Sequence, residues 1–189
     1  AMAALKVLVP IAEDSEEIET ACITDTLVRA GAAVTVASVS GDLQVKMSRG
    51  LKIVADCKIE DCADKEWDAI ACPGGMPGAE RLRDSKALEE LLRKQASASK
   101  VTAAVCASPA VIFGSHGLLP GRAVCYPAPK FVEILGEKHV ADAPVVLDGH
   151  IITGTGPGTS LQFALKIVEK LYGQEKAEEL AKAMLTTTA

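Results

Sequence analysis

The sequence predicts an α/β fold in which a mostly parallel β-sheet carries helices on both faces. Short apolar runs, typical of buried strands, alternate along the chain with segments of helical spacing, and this alternation favours parallel strands joined by right-handed crossovers. Hydrophobic residues make up 49% of the 189 residues but aromatic residues only 3%, as expected for aliphatic strands that are buried on both sides. The length suits one domain, and we expect a single domain over residues 1–189 with an ordered core over about 5–185.

The first elements follow from the apolar spacing. Residues 6–11 form a short apolar run, which predicts the first strand. Residues 16–30 have helical spacing, with Ser15 as the expected N-cap and Gly31 as the stop. The further elements predicted in this half are a strand over 33–39, short strands within 43–60 around a turn at 48–50, and a strand over 68–72 that ends in a Pro-Gly-Gly turn.

The second half begins with an amphipathic helix over 85–97. Ser85 is its expected N-cap, and Leu88, Leu91 and Leu92 share one of its faces. The remaining elements are an apolar strand over 101–105, two strands over 145–148 and 151–153 joined by an Asp-Gly hairpin turn, a helix over 161–172 that ends at a glycine, and a last helix over 174–185.

Composition excludes several classes of function. The net charge of −5 and the pI near 5.3 argue against nucleic acid or an anionic membrane as the main partner, and no apolar run approaches the length of about 20 residues that spans a bilayer. The six cysteines are scattered without metal-site spacing, so we expect no metal and no disulfide. Because the predicted first strand starts near residue 1, we expect no signal peptide. We therefore expect an intracellular protein in a reducing compartment, the cytoplasm, with the chloroplast and the nucleus left open.

Cys106 is the strongest candidate for a reactive residue. It closes the apolar strand over 101–105, and residues 108–113 read as the start of a helix. A cysteine at a strand-to-helix corner lies over free backbone N–H groups, which favour the thiolate, and this is the position of a nucleophile elbow. The sequence therefore predicts an activated thiol, used in catalysis, in redox sensing or in both.

Glu19 is the first candidate partner of this thiol. It shares a helical stripe with Ile23, Leu27 and Ala30, so it is expected to point inward. A desolvated carboxyl has a raised pKa and can stay protonated, donate a hydrogen bond to a thiolate or shuttle a proton. The alternative is a partly exposed member of an acidic cluster at the start of the helix, and the sequence leaves both interpretations open.

The glycines after the 68–72 strand are the second candidate element. Gly74 and Gly75 let the backbone approach a ligand closely and turn an amide inward. One such amide, together with the amide of Ala107 after Cys106, would form an oxyanion hole. The alternative is an ordinary tight turn.

Histidine is a poor candidate for the base of a Cys-His pair. His116 lies about three turns into the helix after Cys106, and His139 and His150 lie in loop-like stretches. Proteolysis by a Cys-His pair is therefore not expected.

Taken together, these residues resemble the DJ-1 branch of the DJ-1/PfpI superfamily over nearly the whole chain. The amino-acid sequence of residues 73–84 most resembles that of the plant and algal members. The segments that carry the resemblance are VLVPIA (7–12), SEEIET (15–20), RAG (29–31), PGGMPGA (73–79), AAVCASP (103–109) and GPGTS (156–160).

The resemblance implies a flavodoxin-like sandwich, a homodimer and a site without cofactor. It casts Cys106 as the oxidation-prone cysteine and Glu19 as the protonated carboxyl beside it. The other residues that it implies are Gly75 and Ala107 as oxyanion amides, Gly74, Met76 and Pro157 in substrate binding, and Arg29 and Arg49 at or near the dimer interface. The activities ascribed to the family are a cofactor-free glyoxalase acting on methylglyoxal, deglycation of early glyoxal adducts, redox-controlled chaperoning and protection against oxidative stress.

Two residues depart from the patterns of the superfamily. Tyr126 stands where the family usually carries a histidine, and a phenol titrates near pH 10, so we expect Tyr126 to orient a carbonyl rather than to act as a base. Ala107 stands where the protease-like branch has a histidine. We therefore expect an enzyme acting on a small dicarbonyl, with a redox sensor whose Cys106 becomes a sulfinate, or a chaperone-like holdase, as the alternatives.

Overall fold

A seven-stranded β-sheet forms the centre of the protein in a computed structural model that describes residues 3–189. The strands are β1 (Lys6–Ile11), β2 (Ala33–Ser38), β3 (Gln44–Lys46), β4 (Lys52–Val54), β5 (Cys57–Lys58), β6 (Ala69–Cys72), β7 (Val101–Val105), β8 (Val145–Asp148) and β9 (Ile151–Gly154). The sheet order is β5-β2-β1-β6-β7-β9-β8, and every neighbouring pair is parallel except β8 and β9. Strands β3 and β4 form a separate antiparallel hairpin. The predicted fold class, a mostly parallel flavodoxin-like sheet, is confirmed.

The helices lie on both faces of the sheet. Within the described residues the α-helices are α1 (Glu17–Ala30), α2 (Gly78–Asp84), α3 (Lys86–Ser97), α4 (Pro129–Leu135), α5 (Ser160–Tyr172) and α6 (Gln174–Ala183). Shorter helical turns lie at Ile59–Cys62, Pro109–Gly114, Gly136–Lys138 and Pro157–Thr159.

Successive side chains of the central strands pack into opposite layers of the core. Val9 belongs to the layer that contains Leu27 and the buried residues of α1, α5 and α6. Leu8 belongs to the other layer, with Leu92 of α3 and the side chains of the Pro109–Gly114 turn. This is the period of two expected of a strand, and it explains why the strand sequences are apolar throughout.

Most predicted elements are confirmed to within two residues, and the exceptions are the cap of α1 and two short helices. Ser15 does not cap α1, because its hydroxyl accepts from the Ala12 N–H at 3.0 Å. The cap is Glu16, whose carboxylate accepts from the Glu19 N–H at 2.8 Å. The two short helices α2 and α4 were not predicted, since seven residues give little apolar periodicity.

All six cysteines are free thiols. Across residues 3–189, no helix has both the length and the apolar character needed to cross a membrane. The same residues contain no group of three or more His, Cys, Asp or Glu side chains placed to hold a metal ion.

Candidate active site

The candidate site lies where three neighbouring strands end. Strands β1, β6 and β7 are adjacent and parallel, so their carboxyl ends meet at one edge of the sheet. The segments that follow them carry Glu16, Gly75 and Cys106, and all three residues line the same cavity. Parallel α/β sheets bind ligands at this edge.

Cys106 occupies a sharp turn directly after β7. Its φ angle is +63°, a left-handed conformation that is uncommon for any residue other than glycine. Two hydrogen bonds hold the turn: the Cys106 N–H donates to the Gly154 carbonyl at 3.0 Å, and the Cys106 carbonyl accepts from the Tyr126 N–H at 2.7 Å. The side chain is partly buried. The backbone thus has the form of the predicted nucleophile elbow, with the sulfur at the cavity wall.

A buried hydroxyl joins this turn to the end of β6. The Ser108 hydroxyl donates to the Pro73 carbonyl at 2.6 Å. The bond fixes the Pro-Gly-Gly turn against the elbow, so that Gly75 and Cys106 face the same space.

Glu19 is fully buried. Its Oε2 atom accepts from the Gly74 N–H at 2.6 Å, while Oε1 has no hydrogen-bond partner of good geometry among the described residues. Burial raises the pKa of Glu19 from 4.5 to about 7, against the lowering effect of hydrogen bonds with Gly74 and Cys106. The carboxyl is therefore able to accept and to donate a proton near neutral pH.

The sequence predicts a Cys106 thiolate that is favoured by the backbone N–H groups at the strand-to-helix corner, but burial of the side chain opposes its ionisation. Burial raises the pKa of Cys106 to about 12, and both the charge of Glu19 and a hydrogen bond with it act in the same direction. The backbone N–H groups of Gly75 and Ala107 lower the pKa, but burial outweighs them. The two contributions of Glu19 require an ionised carboxylate. A protonated Glu19 carries no charge and favours the thiolate by donating to it.

Glycine is required at both positions after β6 because neighbouring atoms leave no room for a Cβ atom there. A Cβ atom on Gly74 would lie 2.6 Å from the Cβ of Cys106 and 2.9 Å from Oε2 of Glu19. Gly75 has a φ of +89°, and a Cβ atom there would lie 2.7 Å from the backbone N of Glu16. Any side chain at these positions would force the elbow, the carboxyl and α1 apart.

The cavity beside Cys106 has a volume of about 390 Å³. Among the residues predicted for the site, Met76, Tyr126 and Pro157 line it, whereas Gly74 is buried beside Glu19 and does not line it. The lining residues that the sequence did not indicate are Glu16, Ser48, Ala128, Lys130 and Phe131. They belong to segments far apart in the chain, and no local motif marks them.

The two arginines expected near a dimer interface lie in different places. Arg49 lines the cavity, and its backbone N–H donates to Glu17 at 2.8 Å. Arg29 is exposed on α1 and forms an ion pair of 2.6 Å with Asp25.

Comparison with known proteins gives a family and several relatives. Residues 5–170 match the DJ-1/PfpI family. The chain is 46% identical over 181 residues to Protein DJ-1 homolog B of Arabidopsis thaliana, covering 95% of this chain and 41% of that protein. The chain therefore spans less than half the length of this plant relative.

Two further comparisons cover both chains almost completely. A Caenorhabditis elegans protein named glutathione-independent glyoxalase DJR-1.2 is 39% identical, covering 91% of each chain. The solved structure of oxidized Toxoplasma gondii DJ-1 superposes with a TM-score of 0.93 at 47% identity, covering 97% of this chain and 100% of that one.

Proposed function

The chain belongs to the DJ-1/PfpI family, and we propose that it is a cofactor-independent glyoxalase that converts methylglyoxal or glyoxal into the 2-hydroxy acid through Cys106. The observation that carries the proposal is the pairing of a cysteine at a cavity wall with a buried carboxyl, one oxygen of which has no hydrogen-bond partner of good geometry among the described residues. The name of the Caenorhabditis elegans relative supports the reaction class.

The first step is addition of sulfur to the aldehyde. As the Cys106 sulfur bonds to C1 of methylglyoxal, its proton passes to Glu19, whose pKa of about 7 suits a base at neutral pH. The carbonyl electron pair moves to O1, and the N–H groups of Gly75 and Ala107 stabilise that oxyanion. Glu19 then gives the proton to O1, which yields a hemithioacetal.

The second step moves hydrogen between the two carbons. Glu19 removes the proton from C1, and the electron pair of that C–H bond forms a C1=C2 double bond while O2 takes up a proton. Return of a proton to C2, with loss of the O1 proton, gives a lactoyl thioester on Cys106. The Tyr126 hydroxyl, at the cavity wall, orients the C2 oxygen by hydrogen bonding.

Hydrolysis completes the cycle. Water adds to C1 and the C–S bond breaks, which releases lactate, a proton and the free thiol. The sum is methylglyoxal plus water giving lactate and a proton, so the reaction needs no redox partner. The cavity of about 390 Å³ admits a substrate of this size.

The test is lactate formation by three variants. Glu19→Gln keeps the shape of the carboxyl but removes the base, so turnover falls by at least about 10²-fold, and Cys106→Ser loses turnover because a hydroxyl is a poor nucleophile here. Glu60→Gln, on an exposed residue of the Ile59–Cys62 turn, keeps wild-type turnover. Unchanged lactate formation by Glu19→Gln, with a folded circular dichroism spectrum, would reject the mechanism.

A redox-sensing role is the second candidate, because the same groups suit an oxidised sulfur. A sulfinate on Cys106 would accept hydrogen bonds from the amides of Gly75 and Ala107 and from a protonated Oε1 of Glu19. The related Toxoplasma gondii structure is of an oxidized protein.

Mass spectrometry after mild peroxide treatment separates the two roles. A sensor gains two oxygen atoms selectively at Cys106, in the wild type but much less in Glu19→Gln, and forms negligible lactate. Efficient lactate formation without selective double oxidation at Cys106 would favour the enzyme.

A further inference from the structure

A second pair of thiols lies outside the candidate active site. The Sγ atoms of Cys57 and Cys62 are 3.5 Å apart. Cys57 lies in β5, at the edge of the sheet, and is partly exposed, whereas Cys62 is fully buried at the end of the Ile59–Cys62 turn. Neither residue lines the cavity beside Cys106.

The backbone holds the two sulfurs close together. Cys57 pairs with Ala37 of β2, and the chain then reverses through a helical turn in which the Lys58 N–H donates to Asp61 at 3.3 Å. A disulfide requires an S–S separation of about 2.05 Å, so the sulfurs need to approach by roughly 1.5 Å, a distance that side-chain rotation can supply.

We propose that Cys57 and Cys62 form a reversible intramolecular disulfide when the protein meets hydrogen peroxide. Peroxide oxidises the accessible Cys57 thiol to a sulfenic acid and is itself reduced to water. The Cys62 sulfur then attacks that sulfur, the S–S bond forms, and the hydroxyl leaves as a second water with the Cys62 proton. A dithiol reductant returns both thiols.

This pair differs from Cys106 in its oxidation product. A sulfenic acid with a thiol 3.5 Å away is captured as a disulfide before it takes up more oxygen. Burial raises the pKa of Cys62 to about 12, with Cys57 adding to the effect, so Cys57 is the thiol that reacts first and Cys62 is the one that resolves it.

The fluorescence of Trp67 reports the oxidation state of the Cys57–Cys62 pair. Trp67 is the single tryptophan of the chain, it is buried, and its indole N–H donates to the Cys62 carbonyl at 3.3 Å. Because a disulfide accepts an electron from an excited indole, oxidation of the pair lowers the fluorescence of Trp67, and reduction restores it.

Peptide mapping tests the proposal, because Lys58 separates the two cysteines on tryptic digestion. The experiment uses Cys106→Ser, so that only the other thiols are oxidised. After peroxide and alkylation, the nonreduced digest should contain peptide 53–58 linked to peptide 59–65. Each chain should lose two free thiols. Dithiothreitol should abolish the linked peptide and restore the fluorescence.

Two controls decide the outcome. Cys57→Ser in the same background should lose both the linked peptide and the fluorescence change, whereas Cys22→Ser, which removes another partly exposed thiol, should keep both. Oxidation of Cys57 to a sulfinate or sulfonate, with Cys62 still open to alkylation, would overturn the proposal. The proposal would also fail if Cys57 and Cys62 both remained free thiols at a peroxide dose that oxidises Cys106 in the wild type.

Discussion

At the scale of single residues, the proposed chemistry of the site and the pH dependence of stability both depend on the carboxyl group of Glu19. In the folded protein its pKa is about 7, whereas its ordinary value is 4.5. Unfolding between these two pH values releases a proton. The contribution of Glu19 to the free energy of unfolding is therefore full below pH 4.5, falls as pH rises, and is lost above about pH 7.

Glu19→Gln should remove this dependence. Relative to the variant, the wild type should lose about 3 kcal/mol of unfolding free energy between pH 4.5 and values above pH 7, measured by urea denaturation across that range. Glu60→Gln serves as the control and should follow the wild type. A constant difference between wild type and Glu19→Gln at all pH values would contradict a raised pKa.

Gly75 combines a left-handed backbone with close packing, and a matched pair of variants separates the two effects. In Gly75→Ala the new Cβ atom would clash with the backbone of Glu16, and the alanine would need a φ of +89°. In Gly31→Ala the alanine would need a φ of +98°, but the space around its Cβ atom is open. Gly31→Ala should cost about 1–2 kcal/mol of unfolding free energy and keep turnover. Gly75→Ala should cost more and lose lactate formation, because the amide leaves its position. Equal losses of unfolding free energy for the two variants would show that close packing around Gly75 has no role.

At the scale of elements, local sequence signals predicted the strand, the turn and the helix that position Cys106 and Glu19. The apolar strand that ends at Cys106, the helix after it and the inward stripe through Glu19 are all local features, and the structure has each of them. The cap of α1 was predicted wrongly because Ser15 and Glu16 both offer an acceptor oxygen. The choice depends on tertiary contacts, since the Glu16 N–H donates to Gly74 at 3.0 Å.

The cavity wall shows the limit of prediction from sequence. Lys130 and Arg49 face the same cavity from segments that are far apart in the chain. The direction of the pKa shift of Cys106 could not be predicted from the sequence either, because the burial of its thiol depends on packing from several elements at once. A sequence gives the type and order of the side chains, but not how far the fold excludes water from them.

The contact between the turns after β6 and β7 gives a prediction at the same scale. Ser108→Ala leaves the buried Pro73 carbonyl without the hydroxyl that donates to it at 2.6 Å, so it should cost about 1–3 kcal/mol of unfolding free energy. Lactate turnover should fall while the pKa of the essential base in the pH-rate profile stays in place, since Ser108 positions the turns and touches no substrate. Ser97→Ala, whose exposed hydroxyl donates to Lys94 at 2.9 Å, should change neither. A Ser108→Ala variant with wild-type turnover would show that the two turns hold their places without this bond.

At the scale of the whole molecule, exposed apolar side chains lie on α1 and on the hairpin formed by β3 and β4. On α1, Ile18 is 53% and Val28 is 58% exposed, and on the hairpin formed by β3 and β4, Val54 is 67% exposed. Leu51, in the turn of that hairpin, is also exposed. Ile18 follows Glu17, which accepts hydrogen bonds from Ser48 and Arg49 beside the hairpin, so the start of α1 and the hairpin turn are neighbours. We expect this surface to be the interface of a homodimer, with Arg29 and Arg49 at or near it.

Ile18→Glu should separate the two copies. A stable interface buries at least about 1,000 Å², and a carboxylate placed within it without a partner costs several kcal/mol, so the variant should sediment as a monomer at micromolar concentration while the wild type sediments as a dimer. Leu185→Glu changes a side chain that is 95% exposed near the end of the chain and should leave the dimer intact. Because Arg49 also lines the cavity, loss of the dimer should raise the KM for methylglyoxal more than it lowers kcat. A wild type that is monomeric at these concentrations, or an Ile18→Glu variant that stays dimeric, would place the interface elsewhere or remove it.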